Sequence, residues 1–256
     1  MDAALPATAT RDPPPAAIAA LAARHAQAQR GLVPVLAALG TRLEAQAVAL
    51  PPGVQARVEQ VTLAALDTAW GLAAATGTRP LGGRAVAVAA ASGAVGGAGG
   101  IATAIAELPV AVALILRTIQ EEARAQGFDP ADPAIRREAL RVFASGSPLA
   151  ADDGINTAFI GARLTLTGPA LHRAIVTFAP RIAAALGPKV AAQAVPVLGA
   201  AAGAAINAAY LAHYRALAGV RFGLLDLARR HDPARVSAAF RAAVAAPPLR
   251  RAGVSP

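Results

Sequence analysis

The sequence predicts an all-α fold: a single domain of about nine to eleven helices that includes a glycine-rich apolar helical hairpin. Three observations carry it. Apolar residues recur at helical spacing, as in Val54, Val58, Val61, Ala65, Leu66 and Ala69. Proline, glycine and Asp-Pro pairs punctuate the chain where helices start and stop. β-Branched residues never form a sustained alternating run flanked by hairpin turns.

Taken in order, residues 1–15 read as a disordered, proline-containing lead and residues 16–30 as an alanine-rich helix ended by Gly31. Pro34 sits in the first turn of a second helix that closes at Pro51-Pro52-Gly53, because a first-turn proline loses no helical hydrogen bond. A third helix covers residues 54–75. An apolar stretch then begins at Arg84 and ends only at Arg117, with Glu107-Leu108-Pro109 read as the kink between two helices. Asp132 caps and Pro133 opens the next helix. Further helices are expected over 153–166, with Asp152 and Asp153 as its N-cap, over 169–179, over 188–217 with a bend at Pro196, over 220–230, and from Asp232-Pro233 to about 245. The domain therefore spans 16–246, and residues 247–256 read as a disordered tail.

Gly93 and Gly97, Gly96 and Gly100, and Gly199 and Gly203 each stand four residues apart. That spacing lines one helix face with glycine and lets another helix approach closely. Together with Pro109, these residues form the candidate surface for helix packing or membrane contact.

The 256 residues carry a formal net charge of +9, yet only 15% are charged and 55% are hydrophobic. An average soluble domain has roughly 25% charged residues. Polar side chains are too few to cover the surface generously, so either helices pack closely through small residues or part of the surface is not meant for water. Arginine supplies the charge, since Lys189 is the sole lysine. Arg136, Arg137, Arg229 and Arg230 are the candidate contacts to anionic lipid, at ~1 kcal/mol per basic residue near such a membrane. Nucleic acid is not an expected partner: aromatic residues are 4% of the chain, too sparse to stack bases, and no RNA- or DNA-binding motif occurs. With no cysteine there are no disulfides or thiolate sites. The early acid and prolines of the first residues do not form a signal peptide, so a cytoplasmic protein is expected.

Motif by motif, chemistry recedes. No Gly-Lys-Ser/Thr ends a phosphate loop. Gly97, Gly99 and Ala102 fit a dinucleotide fingerprint, but only about seven residues separate Ala102 from Pro109, short of the roughly ten a crossover helix needs. Hydrolase signatures are absent, and His25, His172, His213 and His231 lack ligand spacing, so neither metal nor cofactor is expected. His172 and His213 read as helix-surface or core residues. Glu107 is the candidate carboxylate, because no other charge lies between Arg84 and Arg117. Buried, it would need a partner or a proton; the preferred reading is a helix-start acid facing the dipole of a helix opened by Pro109.

The run Gly93 to Gly100, followed by "ELP", "LRTIQ", "GFDP" and "FASGS", resembles the first block of the EcsC family. "KVAAQAVPVLGAAAGAAINAAYLAHYRALAGVRFGLLDL" resembles its second, so the resemblance covers about 63–227. It implies an all-helical protein from a family named for a gene beside a bacterial ABC-transporter pair, and adds no catalytic residue. Glu107 stands where many relatives have Asp; Tyr210 and Arg221-Phe222 stand where relatives have phenylalanine and a His-Phe pair.

Residues 85–106 would measure about 33 Å as one straight helix. However, Val86, Val88, Val95, Ile101 and Ile105 each favour insertion by only ~0.3 to 0.6 kcal/mol, against ~2.5 to 3.5 for a carboxylate. The stretch from Val110 to Leu116 is too short for a second crossing. The sequence thus points to a membrane-associated or lipid-binding protein at the inner face of the cell membrane, touching it through the hairpin. Its partner is then membrane lipid or a membrane protein, with the oligomeric state open. Two alternatives stand beside this: a soluble adaptor of a membrane transporter, and a hydrolase using Glu107 with a histidine brought near by folding.

Overall fold

Two Asp-Pro pairs begin helices where the sequence places them. Asp132 accepts the Ala134 N–H at 2.8 Å and Asp232 the Arg235 N–H at 2.9 Å, each with proline in the first turn. In a computed structural model, the structure describes residues 12–30, 51–75, 83–145, 168–193 and 199–246. These residues form eight helices and no strand: α1 (Pro15–Arg30), α2 (Pro52–Ala75), α3 (Gly83–Ala98), α4 (Ile101–Ala125), α5 (Pro133–Ala144), α6 (Gly168–Gln193), α7 (Gly199–Arg230) and α8 (Pro233–Ala245).

Eight helices among the described residues are fewer than the nine to eleven expected. The expected helices near 34–50 and 153–166, with the Asp152-Asp153 cap, lie outside those residues. The helix expected over 169–179 and the first six residues of the one expected over 188–217 form one helix, α6, which runs through Pro180 and Pro188, and the bend expected at Pro196 lies outside the described residues. The segments expected on either side of residue 218 likewise form one helix, α7. The hairpin turn also differs from expectation. The chain reverses at Gly99-Gly100, where Gly100 takes φ 75°, a region that L side chains rarely adopt. Pro109 lies inside α4 instead. It removes one helical hydrogen bond, but the helix continues because Leu108, Val112, Ile115 and Leu116 around it are all buried.

The large side chains collect in one core. Leu66 of α2, Leu108 and Ile119 of α4, Leu140 and Phe143 of α5, Ile182 of α6, and Tyr210 and Tyr214 of α7 belong to it. Phe143 meets Tyr214 edge-on at 5.0 Å, the favoured geometry for an aromatic pair. A smaller cluster, including Ile18, Val220, Leu224, Val236 and Phe240, forms where α1 and α8 lie on the second half of α7. There α1 approaches closely because Leu21 lies over Gly223 and Arg24 over Gly219.

Candidate functional site

α7 serves as a ruler for the molecule. At 1.5 Å per residue, its 32 residues measure about 48 Å. Near its start α7 crosses α3. A methyl group on Gly203 would overlap the Gly93 carbonyl oxygen and lie 3.1 Å from the Gly97 Cα; one on Gly93 would overlap the Gly203 carbonyl and reach the Asn207 Cγ at 2.8 Å. The backbones touch, as only glycine permits. Gly96 and Gly97 are buried beside this crossing, Gly100 makes the turn, and Gly199 starts α7.

Glu107 lies one turn further along. It is the seventh residue of α4, so it does not face a helix start as expected: with Pro109 inside α4, no helix begins there. Its carboxylate joins four helices. Ser92 of α3 donates to Oε1 at 2.8 Å and the Asn207 amide of α7 donates to the same oxygen at 2.7 Å. The Lys189 ammonium of α6 is paired with Oε2. The Asn207 amide also donates to the Ala89 carbonyl at 2.9 Å and to the Ser92 hydroxyl at 3.1 Å. Lys189 is fully enclosed, and burial pulls its ammonium below the ordinary lysine range while the adjacent Glu107 pulls it back up.

What this cluster can do chemically is limited by space. The cavity beside it, lined by Ala89, Leu114, Lys189, Asn207 and Tyr210, measures about 10 Å³, roughly room for one water. Glu107's partners among the described residues are Ser92, Lys189 and Asn207, and no histidine is among them. His213 bonds instead to the Ala28 carbonyl at 3.2 Å, and burial lowers its pKa. No group of three or more metal-ligating side chains occurs among the described residues.

Outside the crossing, α3 is built with its small residues inward. Its buried positions are Ala85, Ala89, Gly93, Gly96 and Gly97, while Val86, Val88 and Val95 are 37%, 46% and 69% exposed. A helix packed only for water-soluble stability buries its larger apolar residues. Val88, Ala91, Val95 and Ala98 instead form an outward stripe, with Arg84 at its foot. Ala102, Ala106, Pro109 and Val110 continue an exposed apolar stripe on α4. Of the seven exposed large hydrophobics among the described residues, five lie between Val86 and Val110, so they are a patch and not scatter.

The candidate arginines lie elsewhere. Arg229 is 26 residues beyond Gly203 on α7, about 39 Å away. Its guanidinium covers the Phe128 ring at 3.9 Å and donates to the Gln126 carbonyl and to Asp226, each at 3.0 Å; Arg230 pairs with the same Asp226. Arg136 and Arg137 of α5 are half-buried, and Arg136 donates to the Pro130 carbonyl at 3.4 Å. The structure thus unites the glycines with Glu107 and leaves the arginines at the other end. Lys189 was the residue missed, although its being the sole lysine, set in an apolar run, was a signal.

Among the described residues, fold and site together define an all-helical protein with a buried polar cluster under an apolar helical hairpin, and a cavity of about 10 Å³ beside that cluster. The chain belongs to the EcsC protein family, whose model matches residues 55–222. No curated protein and no solved structure matches it.

Proposed function

We propose that this is a peripheral membrane or lipid-binding protein of the inner face of the cell membrane, and that its contact surface is the outward face of α3 and α4. The observation that carries this reading is the inverted packing of α3, with glycine and alanine inside and valine outside. The contact is shallow. α4 is long and apolar enough to span a bilayer, but half of its most apolar window is buried, and its second half holds Arg117, Glu121 and Glu122 in ion pairs. Five exposed valine and isoleucine side chains at ~0.3 to 0.6 kcal/mol each supply about 1.5 to 3 kcal/mol, suited to weak, reversible attachment. The far arginines contribute little to it, being several Debye lengths from the hairpin at physiological salt.

Co-sedimentation with protein-free liposomes is the test. The native chain is expected to pellet with vesicles, Val95→Asp to lose most of that binding, and Val95→Leu to strengthen it. Val95 is exposed, so neither variant disturbs the core. A chain that ignores lipid but pellets with membranes holding a transporter would be the adaptor instead.

A further inference from the structure

α3 has little apolar anchorage to the rest of the protein. It buries no side chain larger than alanine apart from the half-buried Ser92, so the transfer energy that ordinarily fixes a helix, proportional to apolar area removed from water, is small for its inner face. Polar bonds take a correspondingly large share. Beyond Thr103, whose hydroxyl donates to the Gly96 carbonyl at 2.8 Å beside the turn, two side chains make them, Asn207 to the Ala89 carbonyl and the Ser92 hydroxyl, and Glu107 to the Ser92 hydroxyl. Both are held in place by one buried charge pair, Glu107 with Lys189.

A buried ion pair adds little net stability compared with apolar residues of the same shape, but losing one partner leaves a charge stranded in the core. Such a pair therefore acts as a fastener with two states, closed or costly. The body beneath it needs no such device, being held by Leu108, Ile119, Phe143, Ile182 and Tyr214.

We propose that the Glu107 carboxylate is a latch for α3, and that α3 parts from α7 as a unit when the latch is undone while α4 to α7 stay packed. Release uncovers the glycine-lined side of α7 and adds the inner face of α3 to the apolar surface available to lipid. This last step rests on the membrane reading; the latch itself does not.

Hydrogen exchange on the full chain, followed by mass spectrometry, tests both separately. Ser92→Ala cuts the bond from α3 to the carboxylate and leaves the charge pair intact, so the protein stays folded. Exchange in 84–98 is expected to rise at least tenfold, with 206–228 unchanged. Lys189→Met is expected to raise it further, and the double change Glu107→Leu with Lys189→Met to recover the global stability lost with the stranded charge while exchange in 84–98 stays at least as fast as in Ser92→Ala, because the carboxylate that holds α3 is gone. Unchanged exchange in 84–98 for Ser92→Ala, or an equal rise in both segments, would overturn the latch; if Lys189→Met fails to fold, Ser92→Ala decides alone. Liposome binding of Ser92→Ala is expected to exceed that of the native chain. Faster exchange with no lipid binding by any form would retain the latch and remove the membrane reading, while native binding with unchanged exchange would do the reverse.

Discussion

The two ends of α7 are built on opposite principles. At its start backbones meet at Gly93 and Gly203 and one carboxylate, Glu107, gathers three partners, all but one of them neutral. Towards its end three carboxylates are each held between two arginines: Glu122 between Arg24 and Arg215, Glu138 between Arg141 and Arg221, and Asp226 between Arg229 and Arg230. Each group of three keeps a surplus positive charge. Steric fit therefore fixes the first end, and charge with larger apolar side chains fixes the second. An end whose exposed apolar stripe carries a single charge, Arg84 at its foot, can meet an apolar surface, and an end with surplus charge stays in water.

The sharpest way to break this contrast is at the crossing. Gly203→Leu puts a side chain where the Gly93 carbonyl already lies, and overpacking costs typically 1 to 3 kcal/mol, more when backbones must part. The expected loss is at the upper limit or beyond, seen as a large fall in the denaturation midpoint. Gly53→Ala is the control: it meets nothing within 4 Å, and an alanine there is expected to be neutral or to stabilise by ~0.4 to 1 kcal/mol. Equal losses at the two sites would dissolve the steric account.

Charge is tested next at the other end. The Arg221 guanidinium donates twice to Glu138 Oε2, at 2.8 and 2.6 Å, and both side chains are buried. Arg221→Met strands that carboxylate in part. Breaking a buried pair costs ~3 to 5 kcal/mol, and the expected loss falls below that range because Arg141 still reaches Oε1 at 2.5 Å. Urea denaturation of Arg221→Met and of Arg221→Met with Glu138→Leu checks it: the second change should recover part of the loss.

How much of this was legible in the sequence depends on how local each signal is. Asp132-Pro133 and Asp232-Pro233 announce helix starts within three residues, and those starts stand. The all-helical class and the family followed from patterns spread over the chain. The hairpin turn did not, because Gly96, Gly97, Gly99 and Gly100 each offer a turn while Pro109, the stronger local breaker, is outweighed by buried neighbours. Partnerships were out of reach altogether. Lys189 and Glu107 are 82 residues apart, and Arg221 and Glu138 are 83 apart, separations at which only the packed fold decides who meets whom. Glu107 could be singled out as an unusual carboxylate, but not given its partners.

Between the two ends, His213 gives a pH signature. Burial lowers its pKa below the ordinary 6.5, with the bond to the Ala28 carbonyl opposing and His25 adding to the shift. Below about pH 6.5 the unfolded chain therefore takes up a proton that the native chain refuses, and native stability falls as pH drops through that window. The denaturation midpoint of the native protein should decline from pH 7.5 to 5.5 more steeply than that of His213→Gln. Parallel declines would mean that His213 does not report on the joint between α1 and α7.

The smallest effect belongs to the outermost arginines. Arg229 and Arg230 are exposed and share Asp226, and exposed ion pairs contribute ~0 to 1 kcal/mol. Arg229 also covers Phe128, a contact worth ~0.5 to 1 kcal/mol where water reaches it. Replacing both by glutamine should therefore lower stability only slightly, with the Arg229 change accounting for most of it. The same pair decides whether charge takes part in lipid contact. If the hairpin face alone makes that contact, with these arginines roughly 39 Å away along α7, liposome binding by the double variant should match that of the native chain at physiological salt. A marked loss of binding, larger on vesicles rich in anionic lipid, would instead lay α7 along the membrane with both of its ends in contact.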